Sequence, residues 1–229
     1  MRDSPAAPWP PAPWWHPAEF ARRRPHLAIR SRVLAATRSF FAARGYTEVE
    51  TPALQVSPGM EPHLRAFSTV LEGPDGAARS MHLHTSPEFA MKKLLVAGAG
   101  PIYQLARVWR NGERADTHHP EFTMLEWYRP GAAYTDLIEE TRALLAAAAG
   151  ETPLRFRGRE SDPAQVEVLT VVEAFARFAG IDLDPILRAD GSTDTTAMAR
   201  EVDRIGVRRG PEDTFEDLFF RVFLERIEP

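Results

Sequence analysis

Apolar residues recur along this chain with two periods, and the switches between them mark out its elements. Over 29–44 the spacing is helical, with Ile29, Val33, Ala36 and Phe40 on one stripe. Gly45 suits a helix C-terminus. The extended run 46–50 leads to Pro52, a residue tolerated in edge strands. Residues 57–62 form a loop, 64–69 read as a strand before a turn at 73–76, and 81–84 as another in which His82 and His84 alternate. Thr85 or Ser86 then caps a helix. Pro87 fits its first turn, and Glu88 stands where a capping box or the helix dipole favours a carboxylate. Two runs rich in β-branched, aromatic and aliphatic residues, 102–110 and 122–128, make a pair of strands. Helices follow at 134–149 (ended by Gly150), 169–179, 195–205 and 215–227. Thr214 caps the last of these, and Leu218, Phe219, Val222 and Phe223 form its apolar face. Local hairpins with segregated helices indicate an α+β fold, an antiparallel sheet flanked by helices.

The hairpin 102–128 concentrates the chemistry. Its loop, 111–121, exceeds the usual connection of about 2–5 residues, a mark of functional loops. Alternation puts Phe122, Met124, Glu126 and Tyr128 on one face and Thr123, Leu125 and Trp127 on the other. Arg110 shares its face with Gln104, Ala106 and Val108. A guanidinium fork suits phosphate oxygens, His118 and His119 can reach further phosphates, and Phe122 offers a ring to a base. Glu126 and Tyr128 suit a cationic amine. Two readings are open on these residues: a nucleotide site, or a solvated surface hairpin with Arg110 paired to Glu113. His82 and His84 have metal-ligand spacing without a third ligand nearby, so no metal site is assigned.

Composition narrows the class. The chain has 229 residues, 44% hydrophobic and 26% charged, enough for a proper core. A net charge of −4 argues against nonspecific nucleic-acid binding, which demands a basic surface. There are no cysteines, hence no disulfides. No apolar run approaches the roughly 20 residues of a membrane span, and the N-terminus has no apolar signal core. The expected location is cytoplasmic. Residues 1–17 hold six prolines and three tryptophans (Trp9, Trp14, Trp15) and read as an extended arm, with the tryptophans packed on the domain surface. Arg22, Arg23 and Arg24 form a solvated basic run. The domain reading is an arm over 1–21 and one catalytic domain over 22–229.

The segment from Ile102 to Pro130, and above all HPEFTMLEWYRP, resembles motif 2 of class II aminoacyl-tRNA synthetases in their lysyl branch. It is most similar to the elongation factor P lysine ligases, stand-alone relatives of lysyl-tRNA synthetase. FFAARGYTEVETPAL is similar to motif 1, the dimer-forming helix and strand ending at Pro52, and the resemblance runs from about Arg22 to the last residue. It implies ATP-dependent adenylation of lysine or β-lysine, Mg²⁺ to screen the phosphates, and transfer of the acyl group to a lysine of elongation factor P. By resemblance Arg110 stabilises charge at the α-phosphate. Asn111, Gly112, His118, His119 and Phe122 bind ATP, with Phe122 on adenine. Ser86 and Glu88 hold the substrate's amino end, and Glu126 with Tyr128 its other amine. A homodimer through 29–52 is implied, with neither membrane nor tRNA as partner.

Three departures qualify the resemblance. Gly112 stands where the motif has Glu, with Glu113 one position late, and His119 replaces the ligases' Asn. Nothing here resembles motif 3 with its second phosphate-binding Arg, and the magnesium-binding acids and remaining strands are expected beyond residue 229. The expectation is therefore a C-terminally incomplete catalytic core that adenylates poorly by itself. A lysyl-tRNA synthetase fragment, or a non-catalytic binding module of the same fold, is the alternative. The arm is too short to be an anticodon-binding domain, which disfavours tRNA charging.

Overall fold

The computed structural model describes residues 13–115, 117–150, 153–156, 158–163 and 165–228. The chain forms two compact units, Met1–Gln165 and Val166–Pro229. The first carries every candidate residue.

Helix α1 spans Pro17–Ala42, so it starts well before the expected onset at Ile29 and takes in Arg22, Arg23 and Arg24. Pro17 supplies a preset φ in the first turn, where a missing N–H costs nothing. Glu19 pairs with Arg22 at 3.1 Å in that turn. The apolar stripe deepens along the helix, from Ile29 (46% exposed) to Phe40 and Phe41, which are buried. Trp14 and Trp15 do not pack on the domain as expected. Both are exposed, one ring edge-on to the other with Arg23 over Trp14. Trp9 lies outside the described residues.

Strand β1 (Thr47–Glu48) pairs in parallel with β5 (Ile102–Trp109), and β5 pairs antiparallel with β6 (Glu121–Tyr128). The central pair is antiparallel as expected. The sheet as a whole is mixed, because the chain reaches β5 only after a crossover that returns it in the direction of β1. The crossover holds β2 (Leu54–Gln55), β3 (Ser68–Glu72), β4 (Ala78–Leu83) and α2 (Glu88–Val96). β2 and β3 flank β4 in a second, antiparallel sheet. The expected strand over 64–69 is thus displaced to Ser68–Glu72, since residues before it are drawn instead toward the hairpin loop at Asn111.

Register fixes the two faces of the β5–β6 ladder. Gln104 faces Glu126, Ala106 faces Met124 and Val108 faces Phe122, as period-2 alternation requires. On the opposite face Tyr103, Leu125 and Trp127 meet α1 and α3 (Tyr134–Ala149) in a core with Phe40, Phe41, Tyr46 and Leu144. Phe41 is its centre, fully buried and stacked on Tyr103 at 4.5 Å between centroids. The Glu140 carboxylate, buried beside this core, accepts a 2.6 Å bond from Tyr46 and lies 3.5 Å from Arg129. A buried carboxylate needs such partners to stay charged cheaply.

His84 completes the open edge of β5 beyond β1. Its carbonyl accepts the Trp109 N–H (3.1 Å), and its Nε2 lies 2.7 Å from the Arg107 carbonyl. The residue is 2% exposed, and of its two ring nitrogens only Nε2 has a partner among the described residues, Nδ1 being buried without one.

After α3, β7 (Leu154–Phe156) and β8 (Arg159–Ser161) form a short hairpin absent from the sequence reading. The second unit is helical. α4 (Val171–Ala174) runs on as a π-helical turn over Phe175–Ala179, α5 covers Thr195–Arg204, and α6 (Phe215–Val222) likewise ends in a π turn over Phe223–Ile227. Thr214 accepts the Asp217 N–H while Asp217 takes the Thr214 N–H, a reciprocal cap. Phe175, Ile181, Leu183, Met198, Leu218 and Val222 make the core of this unit.

Candidate functional site

The site face of the hairpin carries two polar clusters at different points along its strands. The first lies where β5 ends. Arg110 donates its N–H to the Pro120 carbonyl (2.9 Å), which anchors its backbone to the hairpin while its side chain leaves the ladder. Its Nε approaches the Thr85 carbonyl at 3.4 Å, and its guanidinium lies 5.3 Å from the centre of the Phe122 ring. Among the described residues no carboxylate pairs with it, Glu113 included. A half-exposed guanidinium with no counter-ion, resting on an aromatic face, is poised for an anion.

The loop beyond it is arranged by backbone. Asn111 donates its N–H to the Arg65 carbonyl at 2.6 Å, and Gly112 takes φ +85°, a conformation that favours glycine. Of the two histidines, His118 lies 3.0 Å from the Thr117 hydroxyl through Nδ1 and is otherwise exposed. His119 turns back onto its own strand, Nδ1 2.8 Å from the Glu121 carbonyl. Both Nε2 atoms are without a protein partner among the described residues.

The second cluster lies four residues along β6 from Phe122. The Glu126 carboxylate accepts the Ser86 hydroxyl at 2.8 Å on one oxygen and the Tyr128 hydroxyl on the other. Ser86 itself accepts the Glu88 N–H at 3.0 Å, so it caps α2 and orients Glu126 together. That releases Glu88 from the capping role the sequence allowed. Its carboxylate pairs instead with Lys92, one turn along the helix. Burial first, then the bond from Tyr128 to Glu126 and the charges of Glu126 and Glu88, hold the Tyr128 phenol far above its ordinary value. It is a neutral donor here, not a base. Hydrogen bonding and charge from Glu88, with a further contribution from Glu126, likewise raise Lys92 and keep it a cation. Two carboxylates and one ammonium thus share the pocket, leaving one negative charge in excess. Such a cluster suits a cation.

Ser86, Glu126 and Tyr128 are brought together directly, Glu88 joins them electrostatically, and Arg110 and Phe122 meet each other. His118, His119, Asn111 and Gly112 line the loop beside that pair. Sequence reasoning missed two contributors. Lys92 was legible as an i,i+4 partner of Glu88. Arg65 was not, because its nearness to Gly112 depends on how 57–67 crosses the hairpin loop.

Among the described residues no group of three or more His, Asp or Glu side chains converges to hold a metal, so no residue is assigned to Mg²⁺. No described helix is long and apolar enough to cross a membrane.

A family model described as tRNA synthetases class II (D, K and N) matches residues 19–207. The chain is 38% identical over 206 residues to an elongation factor P--(R)-beta-lysine ligase of Erwinia tasmaniensis, covering 87% of this chain and 58% of the relative. Proteins of that name from Photorhabdus laumondii and Yersinia pestis are 37% and 36% identical, over 91% and 87% of this chain and 62% and 58% of their own. The chain therefore spans between 58% and 62% of the length of these curated relatives. With the motif 2 hairpin formed in register and the family match extending over most of the sequence, this chain belongs to the class II tRNA synthetases of the D, K and N group.

Proposed function

We propose that this chain binds ATP and a lysine-type amino acid, joins them as an aminoacyl adenylate, and passes the acyl group to a lysine of elongation factor P. The observation that carries the proposal is the pairing of two unlike clusters on one strand face. An unpaired guanidinium on an aromatic ring lies at one end, and a carboxylate held by two hydroxyls lies four residues away along β6. Four strand residues span roughly 13 Å, a distance suited to an extended diamino acid ending at a phosphate. The names of the relatives supply the substrate and the acceptor.

In this reading a carboxylate oxygen of the amino acid forms a bond to the α-phosphorus, the bond to the β-phosphate oxygen breaks, and pyrophosphate leaves. Arg110 neutralises the charge that grows on the phosphoryl oxygens, and His118 and His119 face the departing phosphates. Phe122 stacks on adenine once Arg110 has swung from the ring to the phosphate, with the backbone of Asn111 and Gly112 alongside. Ser86 and Glu88 hold the substrate's amino end, and Glu126 with Tyr128 its other amine. No protein nucleophile is required, since aligning the reactants supplies most of the acceleration. The acceptor lysine amine then attacks the acyl carbon, AMP leaves, and the amine's proton goes to solvent. The net charge of −4 supports a protein acceptor over tRNA. A homodimer through 29–52 and a cytoplasmic location complete the proposal. The exposed Leu27 and Ile29 on α1 and the edge position of β1 are compatible with such a dimer.

Pyrophosphate exchange with lysine and with β-lysine, each with and without tRNA, tests the proposal, together with transfer of labelled substrate to elongation factor P. The expected result is weak but tRNA-independent exchange, and labelled elongation factor P. Exchange that requires tRNA would point to a lysyl-tRNA synthetase activity instead. A folded protein that binds no nucleotide would be a binding module.

A further inference from the structure

Gly112 is small for a reason that lies elsewhere in the chain. A Cβ built there would come within 2.6 Å of the Arg65 Nη2 and 3.2 Å of its Cζ. The end of the Arg65 side chain thus lies beside the bare Cα of the residue two past Arg110, its Nη2 nearest. Arg65 is also tied to that loop through its main chain, its carbonyl accepting the Asn111 N–H at 2.6 Å and the two residues forming an isolated antiparallel bridge. The side chain is exposed and, among the described residues, has neither a hydrogen bond nor an ion pair. Carboxylates do stand nearby in sequence, Glu61 and Glu113 among them, yet neither pairs with it. The loop that delivers Arg65 is itself fastened beside Arg110. Pro58 accepts bonds from both the N–H and the hydroxyl of Thr85, the residue whose carbonyl Arg110 approaches.

We infer that Arg65 is a second phosphate-binding guanidinium of the nucleotide site, placed by Gly112 to contact the β- and γ-phosphates while Arg110 serves the α-phosphate. The inference rests on the nucleotide-site reading given above. Two guanidiniums, neither with a carboxylate partner among the described residues, thus meet one stretch of loop, Arg110 at its start and Arg65 at Gly112, and like charges on one loop repel. A polyphosphate between them relieves that repulsion and gains charge-assisted bonds from both. The fixed forks approach from different chain segments, so they can address different phosphates. Gly112 contributes twice. Its φ of +85° turns the loop, and its missing side chain makes room for the guanidinium.

The test is calorimetric binding of ATP, AMP and inorganic pyrophosphate to the wild-type protein and to Arg65→Ala, Arg65→Lys and Gly112→Ala variants, with thermal melting to confirm that each is folded. Arg65→Ala should weaken ATP and pyrophosphate roughly tenfold or more, the effect of one charged hydrogen bond, and leave AMP unchanged. Arg65→Lys should recover part of the loss, because charge returns without the fork. Gly112→Ala should weaken ATP in both backgrounds through the strain of its positive φ, and by more in the wild-type background, where the guanidinium is displaced as well. Equal losses for AMP and ATP, or unchanged ATP binding by folded Arg65→Ala, would overturn the assignment while leaving the nucleotide site standing. A wild-type protein that binds none of the three probes would remove the nucleotide-site reading and this inference with it.

Discussion

Replacing Tyr128 by Phe removes one of the two hydroxyls that hold the Glu126 carboxylate and little else. The ring stays, the strand register is unaffected, and the lost group is a neutral donor at any physiological pH because burial and the neighbouring carboxylates keep its proton in place. Hydrogen bonds to charged groups contribute about 1.5–3 kcal/mol. Tyr128 and Glu126 are only partly buried, so the low end applies, about 1.5 kcal/mol or roughly tenfold in an equilibrium constant. The carboxylate keeps its 2.8 Å bond from Ser86, so it turns rather than leaves. The expected outcome is lysine binding about tenfold weaker with ATP binding within error of wild type, because the change lies six residues along β6 from Phe122 at the phosphate end. Calorimetric titration of each ligand reads both numbers, and the KM for lysine in pyrophosphate exchange should move with the first. Equal losses for lysine and ATP, or no loss for lysine, would refute the amine pocket.

Arg110→Ala should lower pyrophosphate exchange about 10²–10³-fold with the melting temperature nearly unchanged, since one preorganised contact to developing charge is removed and its present partners are one long bond and an aromatic face. Wild-type exchange rates would sink its assignment. Phe41→Ala should destabilise the protein by about 3–5 kcal/mol, because a fully buried ring stacked on Tyr103 is lost without collapse of the surrounding sheet and helices. Denaturant unfolding measures this, and a loss under 1 kcal/mol would contradict the packing described. Burial, with the bond and charge of Glu48, pushes the Tyr103 phenol up from 10.0 to about 12. Below pH 10 both folded and unfolded chains keep the proton; between about 10 and 12 only the unfolded chain sheds it, so stability falls as pH rises through that window. Tyr103→Phe should flatten the fall in melting temperature measured from pH 9.5 to 12, and an identical slope in both proteins would argue against Tyr103 as a source.

What the sequence determined by itself was mostly what has a local cause, though the short β7–β8 hairpin, local too, was missed. The strands read at 102–110 and 122–128 (found at 102–109 and 121–128), their faces, the helix 134–149 with its terminal glycine, and the Thr214 cap all follow from period, propensity and turn chemistry within a few residues. The polar face was legible for the same reason, since alternation puts Phe122, Glu126 and Tyr128 on one side of their strand, while the register that sets them opposite Val108, Gln104 and Ile102 came from the fold. Even the early start of α1 had a local signal in Pro17 and the Glu19–Arg22 pair, overshadowed by the Pro and Trp content around it.

Tertiary structure decided what depends on segments meeting from far apart. Only the fold shows that Ser86 reaches Glu126, which leaves Glu88 free of the cap and pairs it with Lys92. Only the fold spends His84 on the edge of β5 rather than leaving it to a ligand. And only the fold explains Gly112. Read along the chain it is a missing carboxylate. In three dimensions its φ of +85° turns the loop and its bare Cα meets the end of the Arg65 side chain, because which segment crosses a residue is set by the fold and not by its neighbours in sequence.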